Sequence, residues 1–128
     1  IALDILKKEI KHEMRDNNEQ VEVLMKKLSL QQNIKNLIVT RGTSGSVMYS
    51  KKDKKFNFCE AYAKTVVDKI GAGDAMLSII ALCLKCRFDR DLALLTGSLA
   101  AAQSVETIGN KEAVNKIKIL KALENIFK

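Results

Sequence analysis

The sequence predicts an α/β fold, with strands in the middle of the chain and helices on either side of them. Three observations carry this. Apolar residues recur at helical spacing towards both ends, and short β-branched or aromatic runs fill the centre between turn-forming clusters. Two glycines stand where the last of those runs meets a long apolar helical pattern, which completes a helix, strand, helix order.

Over residues 2–15 the apolar positions Leu3, Ile5, Leu6, Ile10 and Met14 follow a helical period. Residues 19–30 repeat the habit with Val21, Val23, Leu24, Met25 and Leu28. Asp16, Asn17 and Asn18 separate the two and supply N-cap side chains. After a loop at 31–35, the run Leu37, Ile38, Val39, Thr40 has the β-branched character of a buried strand. Arg41, Gly42, Thr43, Ser44 and Gly45 then turn the chain. Residues 46–50 and 56–59 read as two strands of a meander joined by the lysine-rich turn at 51–55, and Thr65, Val66 and Val67 as one more short strand. From there the pattern is helical, over 72–86, 89–105 and 113–127.

With 128 residues, 47% of them hydrophobic and 29% charged, the chain is long enough for one domain with a core, and residues 1–128 read as a single domain or a fragment of one. There is no proline, no repeat and no low-complexity segment to mark an internal boundary. No charged-then-apolar leader and no bilayer-length apolar run are present, so a soluble chain is expected. An odd count of three cysteines reads as reduced thiols rather than a disulfide framework, which favours the cytoplasm. The chain starts on Ile1 inside a helical pattern, as a piece of a longer protein would. The net charge of +7 comes from scattered lysines, and aromatic residues make up only 5% of the chain. That pattern suits solubility and general anion affinity better than a dedicated nucleic-acid site.

The most informative stretch is Val66-Val67-Asp68-Lys69-Ile70-Gly71-Ala72-Gly73-Asp74-Ala75. Glycines before a helix let the backbone bend tightly and let a ligand approach without a Cβ in the way. The helix start carries unpaired N–H donors and partial positive charge, so Gly71, Ala72, Gly73 and Asp74 could form an anion hole for a phosphate. Phosphoryl transfer also needs an acceptor for the proton of the attacking hydroxyl, a role that suits the Asp74 carboxylate. On the residues alone a plainer reading stands beside this one, in which the glycines make a turn and Asp74 caps the helix.

The pattern Asp-x-x-Gly-Ala-Gly-Asp at 68–74, followed by a long apolar helix, resembles the C-terminal signature of the PfkB/ribokinase family of carbohydrate kinases. Two further blocks agree in order and spacing. Residues 37–45, ending Thr40-Arg41-Gly42-Thr43-Ser44-Gly45, resemble the family's strand and turn beside the nucleotide phosphates. The small-residue run 99–105, then Ile108-Gly109, resembles the segment bordering the adenine. The resemblance covers the chain from about Asn36 to its end. It implies a ribokinase-like three-layer α/β/α fold, of which this is the C-terminal portion with central strands and flanking helices. It further implies ATP-dependent phosphorylation of a sugar or sugar-phosphate hydroxyl. In that reading Asp74 is the base and Gly71, Ala72 and Gly73 form the anion hole, while Thr40, Gly42, Gly45, Ala101, Ala102 and Gly109 lie along the nucleotide. Asp68, the Ile70 carbonyl and carbonyls around 104–109 would hold K+, and Glu9 would help to organise Mg2+.

The chain departs from the family pattern in places. Lys69 stands where Thr is common, and the Asn of the family's Asn-x-x-Glu is absent from Leu6-Lys7-Lys8-Glu9. Where some members carry a polar side chain near the adenine, this chain has Gly97-Ser98. Thr40-Arg41 and Ile108-Gly109-Asn110 resemble the heptose-phosphate kinase branch. Nothing here resembles the family's N-terminal half, which carries the sugar site and lid, so that half or another chain is the expected partner. The alternative is a non-catalytic ATP- or ADP-binding or interaction module derived from such a kinase, with a nucleic-acid-binding domain a distant third. Cys83-Leu84-Lys85-Cys86 lacks a second ligand pair, Cys59 and His12 being isolated, and reads as core thiols. Met14, Met25, Met48 and Met76 read as core, while Glu13, Asp16 and Glu19 read as a solvated face.

Overall fold

The β-branched and aromatic runs form three five-residue strands, β1 (Asn36–Thr40), β2 (Ser46–Ser50) and β3 (Lys55–Cys59), in the order β1-β2-β3. The connections are too short for a parallel crossover, so neighbouring strands run antiparallel. The computed structural model describes residues 18–63, 65–66, 70–106 and 113–128. The helices are α1 (Asn18–Gln31), α2 (Ala72–Lys85), α3 (Arg90–Val105) and α4 (Lys116–Phe127). This is the helix, strand, helix order that the pattern predicts. None of these helices is long and apolar enough to cross a membrane.

Contacts divide the described residues into two compact units, one drawn from residues 18–37 with Tyr49–Phe56, the other from Ile38–Met48 and the described residues from Asn57 onward. In the first, α1 buries Val21, Met25 and Ser29 at a spacing of four, one stripe of a helix. The helix ends by a double capping pattern in which the Ile34 N–H donates to the Ser29 carbonyl at 2.9 Å and the Asn33 N–H to the Leu30 carbonyl at 3.4 Å. Asn33 takes the left-handed conformation, φ 53°, that this ending needs. The Tyr49 and Phe56 rings pack with centroids 4.7 Å apart, and the Lys26 ammonium sits 5.2 Å from the Phe56 centroid.

In the second unit Met48, Met76, Ile80, Cys83, Ala93 and Leu94 form the core, with Ile38, Cys59 and Ala101 packed against it. Met76, Ile80 and Cys83 lie four and three residues apart, so α2 presents one apolar stripe. The Asp89 carboxylate starts α3 by accepting from the Leu92 N–H at 2.8 Å. A Cβ built on Gly97 would run into the Ile80 side chain and come within 3.2 Å of the Met76 carbonyl, so glycine sets how closely α3 approaches α2. Next to it, the Ser98 hydroxyl lies 3.3 Å from the Ser46 hydroxyl, which satisfies two buried polar groups at once. Gly97-Ser98 is thus packed into the core. Gly45 is equally constrained, with φ 79° and the Cys59 carbonyl where its Cβ would be.

Several expectations are refined. Thr65 and Val66 carry no strand pairing, and Val67 lies outside the described residues, as do the helix expected over 2–15 and, with it, His12, Met14, Glu13 and Asp16. Met25, Met48 and Met76 are buried as predicted. Cys83 is buried but Cys86 is exposed: it caps α2 in helical register, its N–H on the Leu82 carbonyl, and lies at the edge of the Met76, Ile80, Cys83 stripe rather than on it. α4 begins at Lys116 rather than at 113, since the Asn115 side chain accepts from the Ile117 and Lys118 N–H groups and so caps the helix.

α2 closes with the same double pattern as α1. The Phe88 N–H donates to the Cys83 carbonyl at 3.0 Å and the Arg87 N–H to the Leu84 carbonyl at 3.1 Å. Here the left-handed position is held by Arg87, φ 62°, an exposed residue without asparagine's tolerance for it. Arg87→Gly is therefore expected to stabilise the chain by about 1 kcal/mol. Gly97→Ala should destabilise it by about 1–3 kcal/mol through overpacking. Urea unfolding of the two variants beside the parent checks both signs.

Burial raises the Cys59 thiol, with Glu60 and Asp91 adding to the effect against a hydrogen bond from Ser98. Burial also raises Cys83, helped by its neighbour Cys86. Both start from an ordinary value of 9.0. A raised folded value stabilises fully below the unfolded one and is lost as pH climbs through the folded one. Unfolding free energy should therefore fall as pH rises above about 9. The fall should be shallower in Cys83→Ser, as denaturant titrations across that range would reveal.

Candidate functional site

Gly71 opens α2 with φ 82°, a left-handed turn that a Cβ would oppose, and is followed directly by Ala72 and Gly73 in the first helical turn. The first rung of the helical ladder is the Ala75 N–H donating to the Gly71 carbonyl at 2.9 Å. The amides of Ala72, Gly73 and Asp74 precede it and emerge at the positive end of the helix dipole. Asp74 is exposed in this first turn. Two residues further on, Met76 is buried in the core, so the open helix start stands on a packed helix.

Gly73 differs from the other constrained glycines. A Cβ built there would meet nothing within 4 Å, and its φ is not in the left-handed region. Glycine in a helix costs about 0.5–1 kcal/mol relative to alanine, and nothing in the described chain asks for it here. An open face at a helix start, without a Cβ, is what an anion drawn onto the backbone amides would require. The residues of this turn therefore fit a phosphate group.

The second candidate segment follows β1. Thr40 is its exposed last residue, Gly42–Ser44 form a single 3-10 turn, and Gly42 is exposed with φ 59°. The Arg41 N–H donates to the Gly45 carbonyl at 2.8 Å and closes the turn. The third segment is the C-terminal part of α3, where Ala101 and Ala102 are half-buried. Ile38 of β1, Met76 of α2 and Ala101 of α3 all belong to or pack against one core cluster, so the three segments share a common anchor.

Of the other site residues read from the sequence, Ile70 is 71% exposed immediately before Gly71. Asp68, Glu9 and Gly109 lie outside the described residues. Among the described residues no three His, Cys, Asp or Glu side chains are grouped as a metal centre would need.

Sequence reading did not find the cleft at the corner between α3 and α4. It is lined by Gln103, Ser104, Glu106, Val114, Asn115 and Lys118. The Gln103 carbonyl oxygen accepts from the Asn115 N–H at 2.9 Å, and its amide nitrogen reaches the Asn115 carbonyl at 3.5 Å. The available signal was Asn115 itself, a favoured N-cap residue that a helix start placed at 113 passes over.

Comparison with known proteins bears on these segments. Residues 4–117 match the model of the pfkB family of carbohydrate kinases. The bifunctional protein HldE of Campylobacter curvus is 36% identical over 87 residues, which is 68% of this chain and 18% of that protein. An uncharacterized sugar kinase of Buchnera aphidicola is 31% identical over 85 residues, 66% of this chain and 27% of its own length. The chain thus spans about a quarter or less of these curated relatives. The structure of Arabidopsis thaliana ribokinase complexed with ribose and ATP has the same fold, with a TM-score of 0.72 at 24% identity over 85% of this chain and 35% of that one.

Proposed function

The chain belongs to the pfkB family of carbohydrate kinases, and from that premise we propose that it forms the nucleotide-binding half of an ATP-dependent kinase acting on a sugar or sugar phosphate. The single observation that carries the site assignment is the open helix start at 71–74, where Gly73 leaves bare backbone that no part of the described chain fills. Bound nucleotide would supply the phosphoryl group. The amides of Ala72, Gly73 and Asp74 would hold the negative charge that grows on it, at the favourable end of the α2 dipole. Asp74, exposed one residue from Gly73, would accept the proton of the attacking hydroxyl.

Thr40, Gly42 and Gly45 would flank the nucleotide phosphates. Ala101, Ala102 and Gly109 would lie beside the base, with the cleft at the α3–α4 corner continuing that wall. Mg2+, with Glu9 among its organisers, and a monovalent cation at Asp68 and the Ile70 carbonyl complete the reading. The ATP in the Arabidopsis fold neighbour supports the choice of nucleotide. The 36% identity to a bifunctional protein HldE supports the heptose-related branch. The remainder of the sugar site belongs to an N-terminal half or to another chain, and the expected compartment is the cytoplasm.

In the full-length protein Asp74→Asn should lower turnover by about two to four orders of magnitude while leaving ATP affinity nearly unchanged. Steady-state kinetics with a panel of sugar phosphates, coupled to ADP release, reads both quantities, and parent-like turnover would remove Asp74 from the role of base. Gly73→Ala is the complementary variant. It should hold or raise the melting midpoint, because alanine suits a helix by about 0.5–1 kcal/mol, yet weaken Mg-ADP binding in calorimetry. Nucleotide binding without any sugar-dependent ADP release would fit the non-catalytic module instead.

A further inference from the structure

The α3–α4 corner combines packing with solvent-exposed polar contacts. α4 buries only Ile119, and it leaves Ile117, Leu120 and Phe127 exposed. Its first turn is fixed to Asn115, whose side-chain oxygen accepts from the Ile117 N–H at 3.0 Å and the Lys118 N–H at 3.1 Å. Asn115 is held in turn by Gln103 in the last turn of α3. The Gln103 oxygen takes the Asn115 N–H at 2.9 Å, and the Gln103 nitrogen reaches the Asn115 carbonyl at 3.5 Å. One side chain thus engages both backbone groups of the residue that caps α4. Val114 and Lys118, just before and within α4, line the cleft together with Ser104 and Glu106 at the end of α3.

We propose that Gln103 is a positioning residue, which sets nucleotide affinity by clamping Asn115 and so fixing the width of the cleft at the α3–α4 corner. The proposal rests on the reading of that cleft as the nucleobase side of the site. The 2.9 Å bond does most of the holding, since the 3.5 Å contact lies at the outer limit of a hydrogen bond. An acceptor at position 103 is therefore what matters. Glutamate keeps that acceptor and gives the Asn115 N–H a charged partner, whereas leucine offers none.

The test is calorimetric titration of the full-length protein and three variants with Mg-ADP. Gln103→Leu should weaken binding about three- to tenfold, the effect of one hydrogen bond, and Gln103→Glu should bind within about twofold of the parent. Lys118→Trp, at an exposed helix position where folding is not in question, should obstruct the cleft and weaken binding more than tenfold. A Gln103→Leu protein that binds like the parent while Lys118→Trp does not would overturn the clamp and leave the nucleobase reading standing. Parent-like binding by Lys118→Trp would overturn both. Equal losses in Gln103→Leu and Gln103→Glu would overturn the clamp as well, because a general loosening of the corner does not distinguish an acceptor from a methyl group.

Discussion

Where α3 crosses α2, Gly97 leaves no room for a Cβ against Ile80, and the second compact unit is built around that contact. A larger residue would push the helices apart and open the space that Met76, Ile80, Ala93 and Leu94 now fill. The same crossing brings the Ser98 hydroxyl to Ser46, so that serines which would be costly to bury alone satisfy each other. Small residues on α3, among them Ala93, Gly97, Ser98 and Ala100, are buried, and at Gly97 the small size is a requirement of distance. Their propensity for helix explains neither the glycine nor the serine.

That packed crossing gives the candidate site its character. Donors at the start of a helix stabilise developing charge best when they need not rearrange during the reaction. The amides at 72–74 belong to a helix whose next turn is locked into the core by Met76. The glycines sort by cause. Gly45 and Gly97 are demanded by neighbouring atoms, while Gly42 and Gly71 are demanded by positive φ. Gly73 answers to neither, which is why its requirement is sought outside the described chain.

The corner between α3 and α4 works by a different principle. α4 is anchored by the buried Ile119 and by a short chain of hydrogen bonds from Gln103 through Asn115 to its first turn. Directional bonds of this kind add an orientation that burial of an isoleucine does not by itself specify, and they do so with groups that face a cleft. One unit thus combines a helix start held by its core and a cleft wall held by its polar contacts.

Periodicity and turn chemistry were enough to order the elements, because helices and strands bury one stripe or one face and the residues on it repeat at a fixed spacing. The stripe Met76, Ile80, Cys83, the strands around Val47 and Phe56, and the glycine-marked start of α2 could all be read that way. The turn into α2 at Gly71 was legible for a related reason, since a turn and a helix start depend on neighbours in sequence. What the chain's order could not reveal depends on partners far along it. Cys86 shares a helical face with Cys83 by spacing yet is exposed, because the core that α2 packs into covers the Met76, Ile80, Cys83 stripe and stops short of it. Gly97 and Ser98, read beside an adenine, are taken up by Ile80 and Ser46. Asn115 caps α4 and is clamped by Gln103 twelve residues away. Local pattern settles which residues can be helix, strand or turn, but burial and long-range hydrogen bonding are properties of the packed chain, and they alone decided which of those residues became core, cap or cleft.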